Sequence, residues 1–256
     1  MSENKAIKLA VLAGETMLAA GAETARVEDM MIRIMQKAQM TECEAFCTTT
    51  GVFASAQDVN GTPVTIIRRM EVRATNFEKI AKINELSRKF VEGKIDVDQA
   101  IAELTNIKTL KRYPFIIRLL GASVASACFA YMVGGNIFHA IGAFLSAFLM
   151  QVPVKILEKK GVVIFLRNIL GGAFGATFAL IFVHLGLAAS IDYIIIGAIM
   201  PLLPGVALTN AIRDILDGNM LAGSSRIMEA LLTAVAIAAG VGAAMSVWIS
   251  FGGIFT

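Results

Sequence analysis

Five stretches of this chain, at approximately 115–133, 136–153, 162–187, 191–212 and 227–251, are long and apolar enough to cross a bilayer. A helix needs about 20 consecutive apolar residues to do so. Lipid offers no partner to a backbone N–H or C=O, so spans of this length and composition must be helices. The remainder is of another kind. Residues 1–114 hold 16 Lys/Arg and 15 Asp/Glu, whereas residues 115–256 hold only 7 and 5. The sequence therefore predicts an α-helical integral membrane protein with five transmembrane helices (113–256), preceded by a small cytosolic α+β domain (1–112).

The basic residues set an orientation. Lys111 and Arg112 precede the first span, Lys155, Lys159 and Lys160 lie between the second and third, and Arg213 and Arg226 flank the loop between the fourth and fifth. The alternate loops, "GGN" at 134–136 and "GLAASID" at 186–192, contain no Lys or Arg. The positive-inside rule then places the amino terminus in the cytoplasm and the carboxyl terminus outside.

Several function classes find no support. A formal charge of +3, well mixed along the chain, does not suit nucleic acid. Cys43, Cys47 and Cys128 do not look like a disulfide framework, and no histidine stands near the first two to complete a zinc site. Gly93-Lys94 lacks the rest of a phosphate-cradling loop. The sequence implies no metal, no cofactor and no enzymatic nucleophile–base pair in its amino-terminal half. The first twenty residues are a poor signal peptide, because Lys8 and Glu15 interrupt their apolar positions.

In the amino-terminal half, apolar residues at helical spacing predict helices over 7–18, 23–38, 77–92 and 97–107. Between them, 43–70 is rich in Thr, Val, Phe and Ile and carries Asn60-Gly61, which predicts two or three short strands and a hairpin. The turn "AAGAETARVE", 19–28, admits two readings. In one, Gly21 caps the first helix, Glu23 sits at the positive end of the second, and Arg26 and Glu28 are solvated. In the other, it is a polar cluster at the mouth of a transport path.

The fourth apolar stretch breaks itself. Pro201 lies about 15 Å in from Ile191 at 1.5 Å per residue, in the middle of the hydrocarbon core. Pro201 and Pro204 each remove a backbone donor, which is expected to free the carbonyls of Gly197 and Met200. The helix is expected to restart near Gly205, offering unpaired N–H groups and a positive dipole end to a carboxylate. Thr209 and Asn210 lie one turn further on, and Asp214 follows at i+4, expected at a solvated loop end. A simple proline kink is the alternative. Arg167 and Asn168 in the third span are further candidates, Arg167 either snorkelling or facing a cavity. His139 is a candidate for proton handling. Small residues four apart, among them Gly171 and Gly175, Gly172 and Ala176, Gly121 and Ala125, and Gly240 and Ala244, predict a packed bundle without locating its faces.

The block "PLLPGVALTNAIRDILDGNMLAG" at 201–223, the "GAETARVE" turn at 21–28 and the helix ending "LSRKFVEGKID" together resemble the amino-terminal half of the bacterial threonine/serine exporter family. Carried onto this chain, the family's motif residues are Gly21, Glu23, Thr24, Arg26 and Glu28, then Pro201, Pro204, Gly205, Thr209, Asn210, Arg213 and Asp214. The resemblance implies an inner-membrane exporter of small polar metabolites, threonine and serine in some members and succinate-like dicarboxylates in others. Some members are single chains of about twice this size, and others are split. The resemblance therefore implies that this is the larger subunit of a split carrier, completed by a small membrane subunit. A homo-oligomer stays open. So do two other readings: a membrane-anchored enzyme with a catalytic cytosolic domain, and a non-transporting scaffold. No Asp or Glu lies deep in the spans to hold an ammonium, the freed carbonyls of Gly197 and Met200 being the alternative partner, which tilts the expected substrate slightly toward a dicarboxylate.

Overall fold

The computed structural model describes residues 2–70, 75–186 and 190–251. Helices α1 (Ser2–Ala19) and α2 (Thr24–Lys37) lead into three strands, β1 (Thr41–Cys47), β2 (Gly51–Gln57) and β3 (Pro63–Arg69). Helices α3 (Phe77–Val91) and α4 (Val97–Thr109) follow, then α5 (Phe115–Met132), α6 (Ile137–Lys159), α7 (Ile164–His184) and α8 (Ile191–Ile199). A 3-10 turn at Met200–Leu202 separates α8 from α9 (Gly205–Leu216), and α10 (Met220–Ser250) ends the described chain. Residues group into two compact units, Met1–Arg112 with Gly205–Met228, and Tyr113–Pro204 with Glu229–Thr256.

The first unit packs its helices on an antiparallel sheet of order β1-β2-β3. Its hairpin forms where Asn60-Gly61 predicted a turn: Gly61 takes φ +78°, and the Asp58 carboxylate accepts from the N–H groups of Asn60 and Thr62 at 2.9 and 2.8 Å. Strand alternation sends Val52, Ala54 and Ala56 inward, where they are buried. The stripe that marked α2 in the sequence, Val27, Met30, Met31, Ile34 and Met35, is buried in the same core with Ile7, Met17, Ile83 and Leu86. At about 25 cal/mol per Å² of apolar surface, each fully buried side chain of this size stabilises the unit by roughly 1.5–3 kcal/mol before the entropy of ordering is set against it.

Helices α5, α6 and α7, and α10, are each long and apolar enough to cross a membrane; among the described residues these are four candidate spans, or five if the broken pair of α8 and α9 is counted as one. Much of their surface is apolar and outward-facing, as at Ile117, Val124, Phe138, Ile141 and Leu232. Small residues set the contacts inside. A methyl group on Gly172 would stand 2.4 Å from the carbonyl oxygen of Ile237, and one on Gly240 would stand 1.9 Å from that of Ile169. The two helices α7 and α10 thus meet backbone to backbone. Gly197 of α8 is also enclosed, since a methyl group on it would stand 2.7 Å from both the Ala143 side chain and the Ser126 carbonyl oxygen. Gly121, by contrast, faces open space.

Candidate functional site

The turn between α1 and α2 is built by Gly21. At φ +89° it ends α1 in a double closure, with Gly21 N–H on the Leu18 carbonyl (3.0 Å) and Ala22 N–H on that of Met17 (3.2 Å). Closing the helix this way turns the carbonyls of Gly21 and Ala22 outward and starts α2 at Thr24. Glu23, its N-cap, makes no side-chain capping bond, so the first N–H groups of α2 need a partner from elsewhere.

Asp214 supplies it from 190 residues away. Its Oδ1 accepts from the Thr24 N–H at 2.9 Å and its Oδ2 from the Thr24 hydroxyl at 3.0 Å, while Arg226 Nε stands 3.3 Å from Oδ2. A carboxylate at a helix N-terminus is favoured by the helix dipole as well as by these bonds. The neighbours complete the set. Asn210 Nδ2 donates to the Gly21 carbonyl at 2.7 Å, and Arg226 Nη2 donates to that of Ala22 at 3.1 Å. Arg213 pairs with Glu23, and Asn219 Nδ2 donates to Glu28 at 3.2 Å. Glu28 also accepts from the backbone N–H of Cys47 at 2.7 Å, tying β1 to the cluster. The two sequence motifs are therefore each other's partners, and α9 is clasped into the amino-terminal unit.

Burial follows from this pairing. Thr24 and Asp214 are both 0% exposed and Arg226 only 8%. Burial raises the Glu28 carboxyl above the usual range, with the Cys47 and Asn219 bonds opposing the shift and the charge of Asp214 adding to it. The Cys47 thiol, beside it, is pushed up to about 12, first by burial and then by the negative charge of Glu28.

Two expectations need correction here. Asp214 is not at a solvated loop end: the helix runs on to Leu216 and its carboxylate is fully enclosed. Glu28 is not solvated either, being half-buried with two partners, whereas Arg26 is exposed. Sequence reasoning missed Asn219 and Arg226 as partners of the turn. Their only signal was a polar side chain just beyond an apolar stretch, which a solvated loop produces equally well.

The proline break is a third correction. The carbonyls of Gly197 and Met200 are not freed, because the chain tightens into 3-10 geometry there. Met200 N–H bonds to the Gly197 carbonyl, and Leu203 N–H to that of Met200 at 3.1 Å. Leu203 is extended, and α9 begins at Gly205, where the sequence expected a restart. The first-turn N–H groups of Gly205–Ala207 have no partner within their own helix, and Pro204 before them carries no side-chain acceptor. Thr209 is exposed and returns its hydroxyl to the Gly205 carbonyl at 2.9 Å.

Pro201, Pro204, Arg167 and Asn168 belong to the second unit. Asn168 is buried on α7, and Arg167, within the first turn of that helix, is partly exposed. His139 serves the start of α6: its Nδ1 accepts the Asn136 N–H at 3.0 Å, while Asn136 Oδ1 accepts from the N–H groups of Phe138 and His139. Its ring packs on Tyr193, with centroids 5.0 Å apart. That arrangement gives His139 a capping role. Among the described residues no group of three or more His, Cys, Asp or Glu side chains could hold a metal ion.

Comparison with known proteins matches this architecture to a family model, described as putative threonine/serine exporter, over residues 8–248. A probable threonine/serine exporter of Mycobacterium tuberculosis is 26% identical over 239 residues, which are 93% of this chain and 45% of that protein. A threonine/serine exporter of Corynebacterium glutamicum is 26% identical over 92% of this chain and 50% of its own length. The chain thus spans about half the length of these two relatives. A probable succinate transporter subunit, YjjP, of Klebsiella aerogenes is 22% identical over 96% of both chains. No solved structure matches the chain. The family match extends over both the clasped turn and the broken helix, and on that ground the chain belongs to the threonine/serine exporter family.

Proposed function

We propose that this chain is the larger subunit of a secondary exporter, which moves a small carboxylated metabolite across a bacterial inner membrane together with a small membrane subunit. The substrate is threonine/serine or a succinate-like dicarboxylate. The first is what the two half-covered relatives are named for, and the second what the fully covered relative is named for. The name of that relative, a transporter subunit, supports a partner chain.

The observation that carries the reading is the clasp between 21–28 and 210–226. It makes α9, the helix that begins at the proline break, part of the amino-terminal unit. In the proposed mechanism the substrate carboxylate is held at the break, where Pro201 and Pro204 interrupt the helix and the first-turn N–H groups of Gly205–Ala207 point along the dipole. Thr209 follows one turn further along α9, and Asn168 and Arg167 are the candidate polar groups that α7 offers within its own unit. Gly21, Glu23, Thr24 and Glu28 act by holding Asn210, Arg213, Asp214 and Asn219 respectively, so the amino-terminal unit, with its amino terminus on the cytoplasmic side, governs the start of α9.

The test is efflux of labelled threonine and labelled succinate from preloaded cells expressing the chain with and without a small membrane partner. Partner-dependent efflux of one label, lost in correctly inserted Pro204→Ala and Thr209→Ala variants, is expected. Absence of efflux of both labels, with both chains inserted, would overturn the reading.

A further inference from the structure

The amino-terminal unit holds a cavity of about 250 Å³ that neither the clasp nor the proline break uses. The end of α1, the start of α3 and the segment that leaves α4 enclose it, and its charged lining is Glu15, Lys79, Lys108 and Arg112. Glu15 and Lys108 answer each other, with Oε2 and Nζ 3.5 Å apart. Lys79 and Arg112 are left over as an excess of positive charge.

Both are equipped to hold an anion. Arg112 is exposed and has no ion-pair partner among the described residues, so its guanidinium fork is open to a ligand. Lys79 Nζ donates to the Lys108 carbonyl at 2.7 Å, which fixes the ammonium in the lining and leaves two of its three donors. Asn76, also in the lining, accepts the Lys79 N–H on Oδ1 at 3.1 Å and so keeps its amide N–H groups as donors. A guanidinium, an ammonium and an amide together suit an anion rich in oxygen, and phosphate is one that Arg binds through two parallel bonds.

The place of the cavity in the chain points to the source of that phosphate. Lys108, Lys111 and Arg112 are three cations within five residues, and only Tyr113 and Pro114 separate Arg112 from α5, the first candidate span. Three residues of chain reach at most about 10 Å. Tyr113, Ile116 and Ile117 are each more than half exposed. An exposed tyrosine followed by exposed isoleucines is the pattern of a helix that passes through the headgroup layer into hydrocarbon, which puts Arg112 at headgroup depth. Basic residues beside a span attract anionic headgroups.

We infer that this cavity binds the phosphate of an anionic lipid headgroup, held by Arg112 and Lys79 with Asn76 donating beside them. A zwitterionic headgroup brings a cation toward the same positive charges and is disfavoured. The inference needs α5 to enter a membrane but does not rest on the transport reading, so lipid binding is measurable whether or not efflux occurs.

The experiment measures binding of a fluorescent phosphatidylglycerol to the purified full chain in neutral detergent micelles, with unlabelled phosphatidylglycerol, phosphatidylcholine and inorganic phosphate as competitors. Saturable binding is expected, displaced by phosphatidylglycerol and at least about tenfold more weakly by the other two. Arg112→Gln and Lys79→Gln should each weaken it by about tenfold, the scale of one lost charge-assisted hydrogen bond. Lys111→Gln makes the same charge change in the same basic run but outside the cavity, and should weaken it by less than either. The melting temperature of each variant without lipid checks its fold, and Arg112→Gln, at an exposed position, keeps the test informative should Lys79→Gln fold poorly. Lys111→Gln weakening binding as much as Arg112→Gln would reduce the site to diffuse attraction and overturn the inference. So would phosphatidylcholine competing as well as phosphatidylglycerol, and inorganic phosphate doing so would give the cavity to a soluble anion instead of a lipid.

Discussion

Replacing Asp214 by alanine removes one carboxylate and, with it, three contacts. The Thr24 N–H loses its acceptor at 2.9 Å and the Thr24 hydroxyl its acceptor at 3.0 Å, both fully buried. Arg226, whose side chain is only 9% exposed, loses the anion 3.3 Å from its Nε. Loss of a helix cap by itself costs about 1 kcal/mol. Removing one partner of a buried ion pair costs about 3–5 kcal/mol, because the other charge stays desolvated. The two losses share one carboxylate and do not add, so about 3–5 kcal/mol is the expected total. For a chain of this length that is a fall in melting temperature of roughly 6–20 °C, read by thermal unfolding in detergent micelles. Asp214→Asn, which keeps an acceptor for the Thr24 N–H but not the charge, should fall between. A double-mutant cycle with Thr24→Val should return a coupling of about 1 kcal/mol. An Asp214→Ala protein melting within about 2 °C of the natural chain would refute the reasoning, since a fully buried carboxylate with these partners cannot be removed silently.

The raised Glu28 carboxyl makes the folded state hold its proton more tightly than the unfolded chain does, so this group favours folding most below the ordinary carboxylate range and loses that contribution as pH rises through its raised value. The difference in melting temperature between the natural chain and Glu28→Gln should therefore shift against the natural chain as pH is raised from about 4 to about 8; a difference independent of pH would contradict it. Gly172→Ala and Gly240→Ala press a methyl group onto backbone 2.4 and 1.9 Å away and should each destabilise by about 1–3 kcal/mol. Gly121→Ala and Gly242→Ala, in open space, should melt like the natural protein, and equal behaviour of all four would show that α7 and α10 do not meet there. The Cys47 thiol, buried and pushed up to about 12, should resist maleimide at pH 8 until the protein is denatured, and rapid labelling of the native protein would place it elsewhere.

The helices, the strands and the apolar spans were legible in the residues because they rest on local physics. A 3.6-residue stripe such as Val27, Met31, Ile34 and Met35 has only one way to bury itself, and it did so. Asn60-Gly61 marked the hairpin for the same reason, since φ +78° at Gly61 is a property of that residue and not of its surroundings. The motif residues were found, but not what they touch.

What tertiary structure alone decided is pairing across long separations. Nothing near Asp214 in the sequence distinguishes a solvated carboxylate from one that caps a helix 190 residues earlier, because hydrogen bonds and charges act through space and leave no periodicity. The same holds for Gly172 and Gly240, whose need to lack a side chain is set by the backbone of the facing helix, while Gly121 fits the same spacing rule and faces nothing. The carbonyls of Gly197 and Met200 make the point at short range: proline chemistry removes their usual donors, but a change of helical pitch returns others. Sequence determined which groups are polar and where helices must run or stop; only packing determined which of those groups meet.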